Sequence, residues 1–146
     1  MQNAFFWYEL MTPDVPAAAA FYADVVGWNT EVFQGGEGYT IVKAGTIDVG
    51  GLMGMPAEAE GARPAWMGYI YAADVDAATD AVAKAGGTVH RPATDIPGVG
   101  RFSVVADPQG AFFMLMAPKG EAPAERPDPA SPGQVGWREL YAGDWE

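Results

Sequence analysis

Few side chains in this sequence can do chemistry, and the absences are as informative as the residues present. There is no cysteine and a single histidine, His90. That excludes thiol nucleophiles, thiolate metal sites, disulfide frameworks and any centre built on two imidazoles. One carboxylate stands out. Glu9 lies inside Phe5-Phe6-Trp7-Tyr8-Glu9-Leu10-Met11-Thr12, a run of aromatic and β-forming residues. Strand alternation there puts Trp7, Glu9 and Met11 on one face. A carboxylate on an apolar face is costly unless it is paired. Glu9 is therefore read in three ways: a ligand contact, a general base, or a structural partner for Arg101 or for backbone donors. The same alternation groups Met67 with Tyr69 and Tyr71, and Phe112 with Met114 and Met116. Rings and thioethers with a few polar groups line small-molecule sites, and they also fill ordinary cores.

Arg101 closes the stretch Asp95-Ile96-Pro97-Gly98-Val99-Gly100, which is read as a loop entering a strand. It is not a phosphate loop, because no Lys-Ser/Thr follows and no helix begins there. Arg101 is a candidate contact for an anionic ligand group or for Glu9. His90 is read as a strand residue without a catalytic role, since one imidazole with no serine partner makes no triad.

The charge balance narrows the partners. Eight Lys and Arg stand against 19 Asp and Glu, a net charge of −11 over 146 residues. Nucleic acid requires clustered cations, and an anionic membrane surface repels this charge, so neither is expected as a partner. Neutral or cationic small molecules are easier ligands. The first residues, Met1-Gln2-Asn3, show no basic region ahead of an apolar stretch, so a cytoplasmic location is expected.

The elements that must position these side chains come as a repeat. At an offset of 60, Asp14-Val15-Pro16-Ala17-Ala18 matches Asp74-Val75-Asp76-Ala77-Ala78, and Gly27 matches Gly87. Each copy reads as strand, helix, then three strands. The first has a strand over 5–12 and a helix over 17–26 with an apolar stripe at Ala18, Phe21, Tyr22 and Val25. Strands near 29–33, 38–44 and 49–55 follow. The second has a strand over 66–72, a helix over 77–85 and strands near 88–91, 101–106 and 111–117. Asp14 or Thr12 is placed to cap the first helix and Gly27 to end it. At an offset of 130, Trp7-Tyr8-Glu9-Leu10 recurs as Trp137-Arg138-Glu139-Leu140. The expected division is a domain over 1–118 (modules 1–57 and 63–118), a Pro-rich linker over 119–132 and a further first strand over 133–146. That last strand, Val135–Ala142, is expected to dock on a sheet edge of this chain or of a second copy, giving a homodimer.

A tandem βαβββ with Glu9-Leu10-Met11-Thr12-x-Asp14, Phe21-Tyr22, Gly27-Trp28, Asp74-Val75-Asp76 and Asp107-Pro108-Gln109-Gly110 resembles the vicinal oxygen chelate superfamily, the glyoxalase, bleomycin-resistance and extradiol-dioxygenase fold. The chain resembles the N-terminal domain of two-domain glyoxalase-like proteins. The resemblance implies an α+β fold whose mixed sheet curves into a cup, with a divalent metal in many members. It places the metal ligands seven residues before Asp14 and Asp74, at Trp7 and Met67. It places another seven residues after Asp107, at Met114, with Gly54 as the first-module counterpart. None offers imidazole nitrogen or carboxylate oxygen, the donors such metals require. The expectation is a domain without metal or other cofactor, binding a small hydrophobic or cationic molecule through Trp7, Glu9, Met11, Met67, Tyr69, Tyr71, Arg101, Phe112 and Met114. Two alternatives stand beside it. One is a lyase, isomerase or dioxygenase-type enzyme using Glu9 or an unexpected metal. The other is a structural half of a larger assembly.

Overall fold

The computed structural model describes residues 4–35, 38–57, 61–120, 128 and 130–143. The element order is β1 (Phe5–Thr12), α1 (Val15–Val26), β2 (Asn29–Val32), β3 (Thr40–Ala44), β4 (Ile47–Gly54), β5 (Ala65–Tyr71), α2 (Val75–Lys84), β6 (Thr88–Ile96), β7 (Gly100–Ala106) and β8 (Phe112–Pro118). This is the tandem βαβββ of an α+β fold. Two compact units result, and their division falls within β1 and β5. The first holds Trp7–Met67 and Arg126–Gly136; the second holds Met1–Phe6, Gly68–Glu125 and Trp137–Glu146.

Both helices begin the same way. Asp14 and Asp74 stand in extended conformation, and each side chain accepts a hydrogen bond from the backbone N–H three residues on, Ala17 at 2.9 Å and Ala77 at 3.0 Å. The aspartates thus satisfy donors that a helix start leaves open. This sets both starts two residues earlier than the Ala-rich runs suggest. Gly27 ends α1 with φ 76°, a left-handed conformation suited to glycine.

In the first unit the sheet order is β2-β3-β4-β1, with β1 and β4 parallel and the other pairs antiparallel. Leu10, Trp28, Val42, Val49 and Leu52 form its core, and Val15, Ala18, Ala19 and Tyr22 of α1 pack against them. The buried stripe of α1 therefore runs 15, 18, 19, 22. The expected stripe is corrected at Phe21 and Val25, which are 57% and 64% exposed. The same spacing is satisfied one step earlier, because the Asp14 cap places Val15 in the first turn.

The second unit repeats the pattern with order β5-β8-β7-β6, β5 and β8 being parallel. Ala72, Val75, Val105 and Leu115 form its core. Thr79 of α2 is tied to β7 by a buried hydrogen bond of 2.7 Å between its Oγ1 and Ser103 Oγ. The β7–β8 connection is the Asp107-Pro108-Gln109-Gly110 turn. The Asp107 carboxylate accepts from the N–H groups of Gln109 and Ala111, both at 2.9 Å, and Gly110 takes φ 92°.

Two expectations about connections are corrected. The stretch from Asp95 to Arg101 is not a free loop. β6 continues through Ile96, with Asp95 paired to Arg101 and Ile96 to Gly100, so only Pro97-Gly98-Val99 turns. The strand expected over 135–142 is not formed, since those residues join no ladder. The segment is held by separate contacts. In the first unit Trp28 Nε1 donates to the Gly133 carbonyl at 2.8 Å, and Val135 packs on the core. In the second unit the Arg138 guanidinium lies over the Phe5 ring, and the Gly143 N–H donates to Gln109 Oε1 at 2.9 Å. Most of the linker expected over 119–132, residues 121–127 and 129, lies outside the described residues.

Thr79→Val should leave the Ser103 hydroxyl buried without this partner and lower stability by about 1–3 kcal/mol in urea denaturation. Thr79→Val with Ser103→Ala should recover part of that loss, because the orphaned hydroxyl is gone.

Candidate functional site

The face of each sheet turned away from its helix follows from the pleat. In the first unit Leu10 points into the core beneath α1, so Trp7, Glu9 and Met11 point the other way. Glu9 pairs with Gly51 and Met11 with Met53. Glu9 is only 6% exposed. Its partner is Tyr39, a residue that sequence reasoning missed, just ahead of β3. The Tyr39 hydroxyl donates to the Glu9 carboxylate and accepts from Trp7 Nε1–H at 2.8 Å. Burial, with the Glu9 charge second, holds the Tyr39 phenol far above its ordinary range, so it stays protonated as a donor.

Gly51 makes this arrangement possible. A Cβ there would collide with the hydroxyl end of the Tyr39 ring. The signal in the sequence was the Gly50-Gly51 doublet inside a strand, which marks close approach by another group. The register also corrects the expected counterpart of Met114. In the second unit Tyr69 pairs with Met114, and in the first unit the equivalent Glu9 pairs with Gly51, not with Gly54. Gly54 sits opposite Thr12 and is exposed. The counting slips because the loops of the two modules differ in length.

In the second unit Leu115 and Val105 face α2, so Tyr69, Tyr71, Phe102, Phe112, Met114 and Met116 share the opposite face. Tyr69, Met114 and Met116 are buried, Tyr71 is half-buried and Phe112 is exposed. Met67, in the first unit, is half-buried.

Arg101 is placed elsewhere. It lies on the α2 side of β7, where its Nε and Nη2 donate to the two Asp76 oxygens at 2.7 and 2.8 Å, and its Nη1 donates to Asp95 at 3.0 Å. The guanidinium holds the Asp76 carboxyl below its usual range. Arg101 thus ties α2 to the β6–β7 hairpin, and its donors are used in that role. Sequence reasoning missed the link because Asp76 is 25 residues away.

With the register corrected, the positions that the resemblance assigns to metal ligands read Trp7, Gly51 and Met67 in the first unit and Met114 in the second. An indole N–H donor, a missing side chain and two thioethers do not fit a hard dication. Among the described residues, no group of three or more His, Cys, Asp or Glu is placed to hold a metal ion. The described helices include none long and apolar enough to cross a membrane.

Two outcomes check the Tyr39 arrangement. Gly51→Ala should destabilise the chain in thermal melts, and much less so in a Tyr39→Ala background, where the space is free. The second concerns pH. The folded chain holds the Tyr39 proton more tightly than the unfolded chain, whose tyrosine titrates near 10. Stability from this group is therefore complete below pH 10 and falls as pH rises above it, by up to about 1.4 kcal/mol per pH unit. Tyr39→Phe should flatten that alkaline decline by one group's share.

The comparisons agree with this architecture. The model of the Glyoxalase/Bleomycin resistance protein/Dioxygenase superfamily matches residues 4–115. The protein named glyoxylase CFP32 of Mycobacterium tuberculosis is 41% identical over 114 residues, which are 77% of this chain and 43% of that protein. The anthracycline biosynthesis protein DauV of Streptomyces sp. (strain C5) is 34% identical over 152 residues, 94% of this chain and 54% of that protein. The chain thus spans about half the length of the curated relatives it matches. Among solved structures, methylmalonyl-CoA epimerase from Mycobacterium tuberculosis superposes with a TM-score of 0.56 at 16% identity, covering 80% of this chain and 88% of that one, a likeness of fold. With a family match across three quarters of its length and a tandem βαβββ that carries the motifs at their structural places, the chain belongs to the glyoxalase/bleomycin resistance protein/dioxygenase superfamily.

Proposed function

We propose that the chain is a small-molecule-binding member of this superfamily that works without a metal, and that its ligand is a planar aromatic compound. The observation carrying the reading is the Tyr39 hydroxyl packed over Gly51 and bonded to Glu9 and Trp7. A phenol takes the space that a side chain at position 51 would fill, and the carboxylate is already engaged by it. What a ligand meets in the first unit is then ring and thioether, Trp7, Met11 and Met53; taken by itself, the second unit offers Tyr71 and Phe112 on the face turned from its helix. Such surfaces favour flat, polarizable molecules. The 34% identity to a protein named for anthracycline biosynthesis supports a polycyclic aromatic ligand.

The test is a thermal-shift and tryptophan-fluorescence titration with a sugar-free anthracycline aglycone, an intact cationic anthracycline and 2-naphthol. A native-state ligand raises the melting temperature. The expected result is a rise with the aglycone that survives dialysis against EDTA. A response that requires added Zn²⁺, Ni²⁺ or Mn²⁺, or no response to any of the three, overturns the reading.

One observation favours a second reading, isomerase-type proton transfer. Glu9 is a buried carboxylate already hydrogen-bonded to a neutral donor, the pairing that proton abstraction beside a carbonyl uses. Glu9→Gln separates the two. Under the binding reading it changes aglycone affinity only modestly. Under the second it abolishes deuterium exchange from solvent into methylmalonyl-CoA that the unmodified chain would catalyse.

A further inference from the structure

We infer that His90 and Arg91 form a binding point for an acidic substituent, a carboxylate or phosphate, on the aromatic ligand. This rests on the aromatic-ligand reading above and specifies which group on such a ligand the second unit, taken by itself, would hold. Neighbours in a regular strand point to opposite faces. Here they do not. The β6–β7 ladder slips between Val89 and Arg91, leaving His90 as the extra residue of a bulge, and slips again before Thr94. Val89 packs into the core beneath α2. The His90 ring instead lies on Phe112, with centroids 4.3 Å apart and planes 31° apart. The Arg91 guanidinium lies over Phe102, 5.0 Å from the ring centroid. Phe102 and Phe112 are on the face turned away from α2. The bulge therefore brings two consecutive basic side chains onto one aromatic surface, a re-aiming that bulges perform beside functional sites.

Among the described residues the ion pairs leave Arg91 available, as they do Arg63, Lys84 and Lys119; what sets Arg91 apart is a ring beneath it and an imidazole beside it on the same surface. In a chain of net charge −11, Lys43 and Arg101 are each held by two carboxylates. Arg91 rests on a ring, and among the described residues it forms no ion pair. Its planar fork keeps donors free for a bidentate oxyanion. Phe112, 48% exposed beside His90, supplies a ring platform open to solvent. Together these fit an aromatic acid, with its ring on Phe112 and its anionic group on Arg91 and the imidazole N–H.

The experiment compares 2-naphthol, 2-naphthoate and 2-naphthyl phosphate by fluorescence titration of the full chain. The acids should bind about tenfold more tightly than 2-naphthol, the size expected of one charge-assisted contact. The tighter of the two identifies the group as carboxylate or phosphate. The preference should shrink in 0.5 M NaCl. Arg91→Met keeps the stem on Phe102 and should reduce the preference to within about twofold while leaving 2-naphthol binding unchanged. Binding of 2-naphthol with no preference for either acid, or a preference that persists in Arg91→Met, overturns this inference alone. Failure of all three compounds to bind overturns it together with the reading on which it rests. The salt titration of the unmodified chain decides the matter even if the variant does not fold.

Discussion

Each four-stranded sheet can bury only one of its faces beneath its single helix, and the rest of the structure depends on that constraint. Leu10, Val42, Val49 and Leu52 under α1, and Val75, Val105 and Leu115 under α2, are the side chains that satisfy it. Because the pleat has period two, committing those residues to the helix commits their neighbours to the other side. Trp7, Glu9 and Met11 are thus turned outward by Leu10, and Met114 and Met116 by Leu115. The apolar core does not contain the candidate site, yet it dictates which residues belong to it.

Within that frame the two modules have diverged at equivalent places. In the second unit Met114 stands beside Tyr69, and the position is filled by a thioether. In the first unit the equivalent residue is Gly51, and the Tyr39 ring reaches in from the start of β3 to occupy the space. Burial of Glu9 becomes tolerable because the phenol donates to it, and the phenol is fixed in turn by the Trp7 indole. A buried carboxylate without such a donor would cost several kcal/mol or take up a proton. The same economy of polar groups appears at Arg101, whose three guanidinium nitrogens each donate to Asp76 or Asp95 and so hold α2 to the hairpin.

Much of this was legible beforehand, and the failures have identifiable causes. The repeat, the two aspartate caps and the Asp107 turn are local patterns, so the element order followed from them. The alternation along β1, β5 and β8 correctly grouped Trp7 with Glu9 and Tyr69 with Tyr71. The stripe of α1 was displaced because the cap draws Val15 into the helix, and an Ala-rich segment offers several equivalent stripes. Gly54 was taken for Gly51 because counting between modules cannot see where a ladder shifts. His90 does lie in a strand, as read; what its own sequence could not show is the bulge that turns it onto Phe112. The strand expected over 135–142 pairs with neither edge strand of this chain, β2 or β6. There Trp137 is left 91% exposed, and the segment is anchored by single contacts instead.

The sequence by itself determined the tandem βαβββ, the absence of thiol chemistry and of any two-imidazole centre, and the lack of hard donors at Trp7, Met67 and Met114. These follow from composition, local capping and period, which need no knowledge of neighbours in space. Only the tertiary structure decided who meets whom: Tyr39 with Glu9 across 30 residues, Arg101 with Asp76 across 25, and His90 and Arg91 with the rings of Phe112 and Phe102. Those pairings depend on strand register and on bulges. Register and bulges are set by how the whole ladder packs beneath its helix, and no single stretch of sequence contains that information.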